Sequence, residues 1–292
     1  MSKKPFMRSL LLALLLFVSC RMIARSNPLS SGTDIEYATV VGHPLKLDLY
    51  RPRLKVRSPL IVWVHGGAWR SGSKGEMPLN GLVDDGYAIA SVDYRLSTEA
   101  RFPAQVHDIK AAIRFLRKHA GDWDVSATTI VIAGNSAGGH LAALVGVSNG
   151  NAELEGAVGN CREESSAVQG IVSFYGASNL TTILKQSTPH GLNVRVPALE
   201  LLLGGQPDIV PALARLASPV FHVDKNDPPL LLFHGDQDEQ MPINQAHELC
   251  GAYEIAKNAL RFEVVHGAGH GGSEFFSAER LAVVKDFLRQ SF

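Results

Sequence analysis

Thr129-Ile-Val-Ile-Ala-Gly-Asn-Ser136-Ala-Gly-Gly-His-Leu-Ala-Ala-Leu-Val-Gly-Val147 holds a strand, a reversal and a helix in nineteen residues. Thr129 to Ala133 is an apolar, β-branched run, and Gly139 to Val147 is rich in Ala and Leu. The first composition reads as a buried strand and the second as a helix. Between them Gly134-Asn-Ser136-Ala-Gly138 leaves no room for a loop, so the chain must turn sharply at Ser136. Such a turn strains the serine backbone, and small residues at 134 and 138 let strand and helix pass without a clash. The predicted result is a serine hydroxyl held up at a helix N-terminus, the context of a nucleophile elbow. A glycine-serine loop without chemistry shares the five-residue pattern; the strand before it and the helix after it separate the two readings.

A serine hydroxyl is a poor nucleophile until a base takes its proton, so Ser136 demands a histidine and a carboxylate, in the chain order Ser, Asp, His. Two segments supply them. His234-Gly-Asp236-Gln-Asp238 follows the strand-like Pro229 to Phe233, and Gly267-Ala-Gly-His270-Gly271 follows Arg261 to Val265. Both lie just past the C-terminal end of a strand, where open α/β sheets carry their sites. Periodicity does not choose between Asp236 and Asp238; His266 competes with His270, whose glycine-flanked loop is better able to reach the serine. A base alone leaves the developing oxyanion unattended. His65-Gly-Gly67-Ala68-Trp69, after Leu60 to Val64, can turn the N–H groups of Gly67 and Ala68 toward it, beside the Ala137 N–H that follows the nucleophile. His65 itself reads as a buried structural imidazole.

From Leu45 onward, short β-rich runs alternate with segments of helical period, which predicts an α/β fold with a mostly parallel central sheet flanked by helices. Leu45, Leu47 and Leu49 alternate as in a half-exposed strand; Pro59 to Val64, Tyr87 to Val92, Val168 to Phe174 and the runs quoted above read as buried strands. Ile109, Ala112, Ile113 and Leu116 share a helical face, as do Ala246, Leu249, Cys250 and Tyr253, and Leu281, Val284 and Leu288 stripe a final helix. Proline punctuates residues 176–228, which read as a small cap-like insertion into one domain spanning 35–292. Trp69, Phe174, Tyr175 and Leu199 to Leu203 suit either the core or an acyl or alcohol pocket.

The chain has 292 residues, with 28 Lys plus Arg against 28 Asp plus Glu. No positive excess exists to displace counterions from a nucleic-acid backbone, so nucleic-acid binding is not expected. Lys3, Lys4 and Arg8 precede an apolar run from Leu10 to Val18, the pattern of a secretory signal peptide over residues 1–19. Nine apolar residues are too few for a membrane span, which takes about 20. Phe17-Val-Ser-Cys20 resembles a lipoprotein box, so cleavage before Cys20 would leave either a lipidated, membrane-attached chain or a plain exported one. Either way the mature chain would be periplasmic or extracellular, with three basic residues removed. An oxidising compartment would then permit Cys161 and Cys250 to pair, or leave two thiols. His65, His234 and His270 each follow a different strand, so no metal site is expected.

His65-Gly-Gly-Ala-Trp69, Val92-Asp-Tyr-Arg95, Phe102-Pro-Ala-Gln105, Gly134-Asn-Ser-Ala-Gly-Gly139, His234-Gly-Asp-Gln-Asp238 and Gly267-Ala-Gly-His-Gly271 occur in this order. Together they resemble the α/β-hydrolase serine esterase/lipase family, closest to the feruloyl and acetyl-xylan esterase-like carboxylesterases. The resemblance spans roughly Ile35 to Phe292. It implies hydrolysis of a small ester, carbohydrate-linked esters among them, through an acyl-enzyme, with Ser136, Asp238 and His270 as the triad and no metal or organic cofactor. It also selects Asp238, because Met241-Pro242 keeps the family register. Ala68 departs from the usual glycine, and His65 to Trp69 equally resembles the HGGxW motif of arylformamidases. Formamide or peptide hydrolysis by the same triad is therefore the alternative activity, and a non-catalytic binding module, which would have lost the serine or histidine, is a third reading.

Overall fold

The computed structural model describes residues 30–53 and 58–292, so the expected leader and Cys20 lie outside the described residues. The chain runs through β1 (Ser30–Val40), β2 (His43–Tyr50), β3 (Ser58–Val64), α1 (Asn80–Asp84), β4 (Ala88–Val92), α2 (Ala104–His119) and β5 (Val125–Asn135). It continues through α3 (Ala137–Gly146), α4 (Ala152–Glu155), β6 (Gly170–Phe174), α5 (Ile183–Gln186), α6 (Pro189–Leu203) and α7 (Pro211–Leu216). The last elements are β7 (Leu230–Gly235), α8 (Asn244–Ala256), β8 (Leu260–Val265) and α9 (Ala278–Ser291).

The strands form one eight-stranded sheet in the order β1-β2-β4-β3-β5-β6-β7-β8. Strands β3 to β8 are parallel, while β2 is antiparallel to both β1 and β4. Because side chains alternate along a strand, each inner strand feeds two cores. Val62, Ala90, Ile132, Ile171 and Leu232 face α2, α3 and α8, whereas Ile61, Ile89, Val131, Val172 and Phe233 face α1 and α9. Both faces being covered, these strands read as continuous apolar runs rather than alternating ones. Phe174 and Phe233 stack in the second core at 4.8 Å between centroids, an arrangement worth about 1 kcal/mol beyond burial.

The first expected strand is the one containing Leu45, and the structure adds β1 before it. Its sequence, SSGTDIEYATV, carries only Tyr37 and Ala38 as buried apolar residues. Its pairing with β2 slips at three places, so no period of two is written along it. Helix α3 begins two residues before the expected Gly139, directly after Ser136. Between β6 and β7, helices α5 to α7 send Ile183, Leu199, Leu202 and Ala214, and the loop before them sends Leu180, into the same core as α2 and α3. Cys161 and Cys250 are free thiols, the latter buried on α8. Among the described residues no helix is long and apolar enough to cross a membrane.

Two motifs outside the site knit this frame. Arg95 clasps the fully buried Asp108 of α2 with Nε and Nη2 at 2.8 and 2.7 Å, and Gln105 Nε2 donates to the Arg95 and Ala100 carbonyls. The loop after β4 is thereby tied to α2.

Candidate active site

Ser136 sits between β5 and α3 with φ 52° and ψ −118°, a conformation that L-residues avoid. The turn is enforced by contact. A Cβ on Gly138 would stand 2.0 Å from the Val64 carbonyl oxygen, and one on Gly134 would stand 2.4 Å from the Gly138 oxygen. The Ser136 amide donates to the Phe174 carbonyl at 2.8 Å, anchoring the elbow to the end of β6.

The loops after β7 and β8 meet over this elbow. Ser136 Oγ lies 2.8 Å from His270 Nε2, and His270 Nδ1 lies 2.7 Å from Asp238 Oδ2. The other Asp238 oxygen accepts from the Gln240 and Met241 amides at 2.9 and 2.7 Å. Burial alone would raise the Asp238 carboxyl, but its bonds to His234, His270 and Met241 outweigh burial and hold it well below the usual carboxylate range. Burial lowers His270 below an ordinary imidazole, with the Asp238 carboxylate opposing, so the ring is neutral at neutral pH and able to accept a proton. The geometry suits a nucleophile at Ser136, a base at His270 and an orienting acid at Asp238.

The competing residues form a pair of their own. His266 Nδ1 lies 2.8 Å from Asp236 Oδ2, and the Gly267 amide donates to Asp236 Oδ1 at 2.7 Å. His266 is 84% exposed, and the pair ties the two loops together at the surface.

The His65–Trp69 segment carries three successive positive φ angles, 97° at Gly67, 51° at Ala68 and 60° at Trp69. Among the described residues the Gly67 and Ala68 amides find no backbone acceptor. The Ala137 amide stands at the first position of α3, where an N–H has no intrahelical partner. His65 is buried and stacks on Tyr94 at 4.4 Å between ring centroids, a packing position. Trp69 is fully buried, so it does not line a pocket; its Nε1 donates to His140 Nδ1 at 3.0 Å, and His140 Nε2 donates to the Ala217 carbonyl at 2.7 Å. This relay fastens the loop to the elbow helix. Phe174, Leu199, Leu202 and Leu203 are core residues as well.

Tyr175 packs edge-on against the His270 ring at 5.0 Å, and its hydroxyl accepts from Asn135 Nδ2 at 3.3 Å. Three further groups escape sequence reasoning. His234 Nε2 donates to the Met241 carbonyl at 2.9 Å and lies 3.5 Å from Asp238 Oδ2. His140 and Arg195 stand on helices among apolar neighbours, and no local pattern marks them. Among the described residues no cluster of His, Cys, Asp or Glu is arranged to hold a metal ion.

A sheet of this order, with a strained serine after β5 and His270 and Asp238 in the loops after β8 and β7, defines an α/β-hydrolase of the serine esterase type. The BD-FAE family model matches residues 47–253, and the chain belongs to that family. Esterase LipC of Mycobacterium tuberculosis is 31% identical over 219 residues, covering 73% of this chain and 53% of LipC. The chain spans about half the length of the curated esterases it matches first. A truncated carbohydrate esterase from gut microbiota has a TM-score of 0.80 and 31% identity, covering 91% of this chain and 98% of that one. Esterase 2 of Thermogutta terrifontis, phosphorylated by paraoxon, has a TM-score of 0.72 and 26% identity, with 91% and 95% covered.

Proposed function

We propose that the protein is a carboxylesterase that cleaves small esters, acetyl or feruloyl groups carried on carbohydrate among them, through an acyl-enzyme. The observation that carries this reading is the unbroken line from Asp238 through His270 to Ser136, with bonds of 2.7 and 2.8 Å. His270 Nε2 takes the Ser136 proton as Oγ attacks the ester carbonyl carbon. The Gly67, Ala68 and Ala137 amides receive the tetrahedral oxyanion. Its collapse breaks the ester C–O bond, and the alcohol leaves with the proton from His270. A water, deprotonated by the same ring, then attacks the acyl carbon; the acid departs and Ser136 recovers its proton. Asp238 keeps His270 in the tautomer that presents Nε2 as acceptor and stabilises the imidazolium. The likeness to a carbohydrate esterase supports the sugar-linked substrate, and the leader pattern supports an exported chain, with Cys20 as a candidate lipid anchor.

The test is fluorophosphonate labelling of the wild type and Ser136→Ala, with turnover of p-nitrophenyl acetate, methyl ferulate, acetylated xylo-oligosaccharide and N-formylkynurenine. Labelling is expected to vanish in the variant. Equal labelling sinks the nucleophile, and preference for N-formylkynurenine sinks the ester reading in favour of formamide hydrolysis. Intact mass of the membrane-extracted protein distinguishes a lipidated Cys20 from a soluble form.

A further inference from the structure

Arg195 lies midway along α6 and is completely buried. Among the described residues its Nε and Nη1 find no hydrogen-bond partner. A buried cation with most of its donors unmatched is a cost to the fold, which calls for a compensating role. Its one bond identifies that role. Arg195 Nη2 donates to the Gln240 carbonyl at 3.2 Å, and the same peptide unit's N–H, that of Met241, donates to Asp238 Oδ1 at 2.7 Å. The peptide therefore stands between a cation and an anion with its dipole aligned to both, and each bond polarises the other.

The rest of α6 holds this register. Thr188 caps the helix by accepting from the Gly191 amide and donates its own hydroxyl to the Glu239 carbonyl. Gly191 approaches so closely that a Cβ there would sit 3.0 Å from the Gln240 oxygen and 3.1 Å from the Glu239 oxygen. The first two turns of α6 thus grip the two residues that follow Asp238.

We propose that Arg195 is a positioning residue for the hydrolytic reaction, fixing the Asp238 carboxylate against His270 through the Gln240–Met241 peptide and supplying the positive field in which that pair works. The inference rests on the esterase reading above. His270 is faced by Asp238 and His234 from β7 and its following loop, by Ser136 from the elbow, by Tyr175 after β6 and by the charge of Arg195 from α6. That charge opposes protonation of His270. Burial pulls Arg195 itself down to about 10, with Asp238 opposing, so it stays charged at neutral pH.

The experiment compares wild type, Arg195→Met and Arg195→Lys in the full chain, measuring kcat/KM for p-nitrophenyl acetate from pH 5 to 9 together with melting temperature. Arg195→Met is expected to lose about tenfold in kcat/KM and to move the acidic limb upward by about half a pH unit, as a cation leaves the neighbourhood of the base. Arg195→Lys, which keeps a charge and a donor, is expected to bring the limb back toward wild type. An active Arg195→Met enzyme with its limb at the wild-type pH overturns the proposal, even with a lowered melting temperature, because packing alone explains that pattern. A Lys variant indistinguishable from Met overturns it too. Absence of Ser136-dependent turnover in the wild type instead overturns the esterase reading and carries this proposal down with it.

Discussion

Replacing Asp238 by Asn removes one charge and no volume, and the neighbouring donors dictate how the new side chain must sit. Asp238 Oδ1 is held by two backbone donors, the Gln240 and Met241 amides at 2.9 and 2.7 Å. An asparagine must therefore place its carbonyl oxygen there, which puts its NH2 opposite His270 Nδ1, where Oδ2 now sits at 2.7 Å. Two donors cannot face each other, so His270 gives up the Nδ1 proton and carries it on Nε2, pointing at Ser136 Oγ. The base is then occupied by a proton before the reaction begins. An inverted tautomer of this kind costs on the order of 10⁴ in kcat, about 5.5 kcal/mol of barrier. Asp236→Asn disturbs exposed bonds, to His266, the Gly267 amide and the Gln237 side chain, and a loss under about threefold is expected there. The assay is kcat and KM for p-nitrophenyl acetate, with a denaturant midpoint to verify folding. Comparable losses at the two positions, or more than a tenth of wild-type kcat in a folded Asp238→Asn enzyme, would refute the tautomer argument.

Two other substitutions probe the scaffold. Gly138→Ala places a methyl 2.0 Å from the Val64 oxygen and 2.5 Å from the His65 oxygen, both backbone atoms that cannot step aside; a loss of about 3 kcal/mol or more is expected in urea unfolding, and a loss under about 1 kcal/mol would show that the elbow yields. His140 is pulled by burial from the ordinary 6.5 to about 4, so the unfolded chain binds a proton there first as pH falls. Stability is therefore full above pH 6.5 and declines toward pH 4 by about 3 kcal/mol on this account. Urea midpoints across that window are expected to fall less steeply for His140→Gln, and parallel slopes would remove His140 as the source.

The sequence carried the inner strands and the elbow because both obey short-range rules. A strand covered on both faces must be apolar at every position, as Leu60 to Val64 and Leu230 to Phe233 are. A strand-to-helix reversal around Ser136 admits only small neighbours. The acid was not local in the same way. Asp236 and Asp238 differ by one turn residue, and their separation into a surface pair and a buried pair depends on where β8 and its loop arrive. Strand β1 stayed hidden because its bulges destroy periodicity, and α6 because Pro189 and Pro197 read as punctuation when they lie within one helix. Arg195 and His140 were invisible for a simpler reason: Arg195 bonds a backbone carbonyl 45 residues away, and His140 bonds one 77 residues away and an indole 71 residues away.

Among the described residues strand β8 pairs with β7 alone, and five of its six residues are only half-buried. The loop bearing His270 hangs from that margin, while Ser136 is bolted into the middle of the sheet. The two ends of the Ser136–His270 bond therefore rest on parts of the sheet that are anchored differently. Edge strands open at lower free energy than the centre of a sheet, so turnover is expected to be lost at a lower temperature than the fold; an inactivation midpoint that coincides with the melting temperature would remove β8 as the weak point. In the proposed esterase that margin would act as a fuse at the sheet's edge, silencing turnover while most of the molecule is still whole.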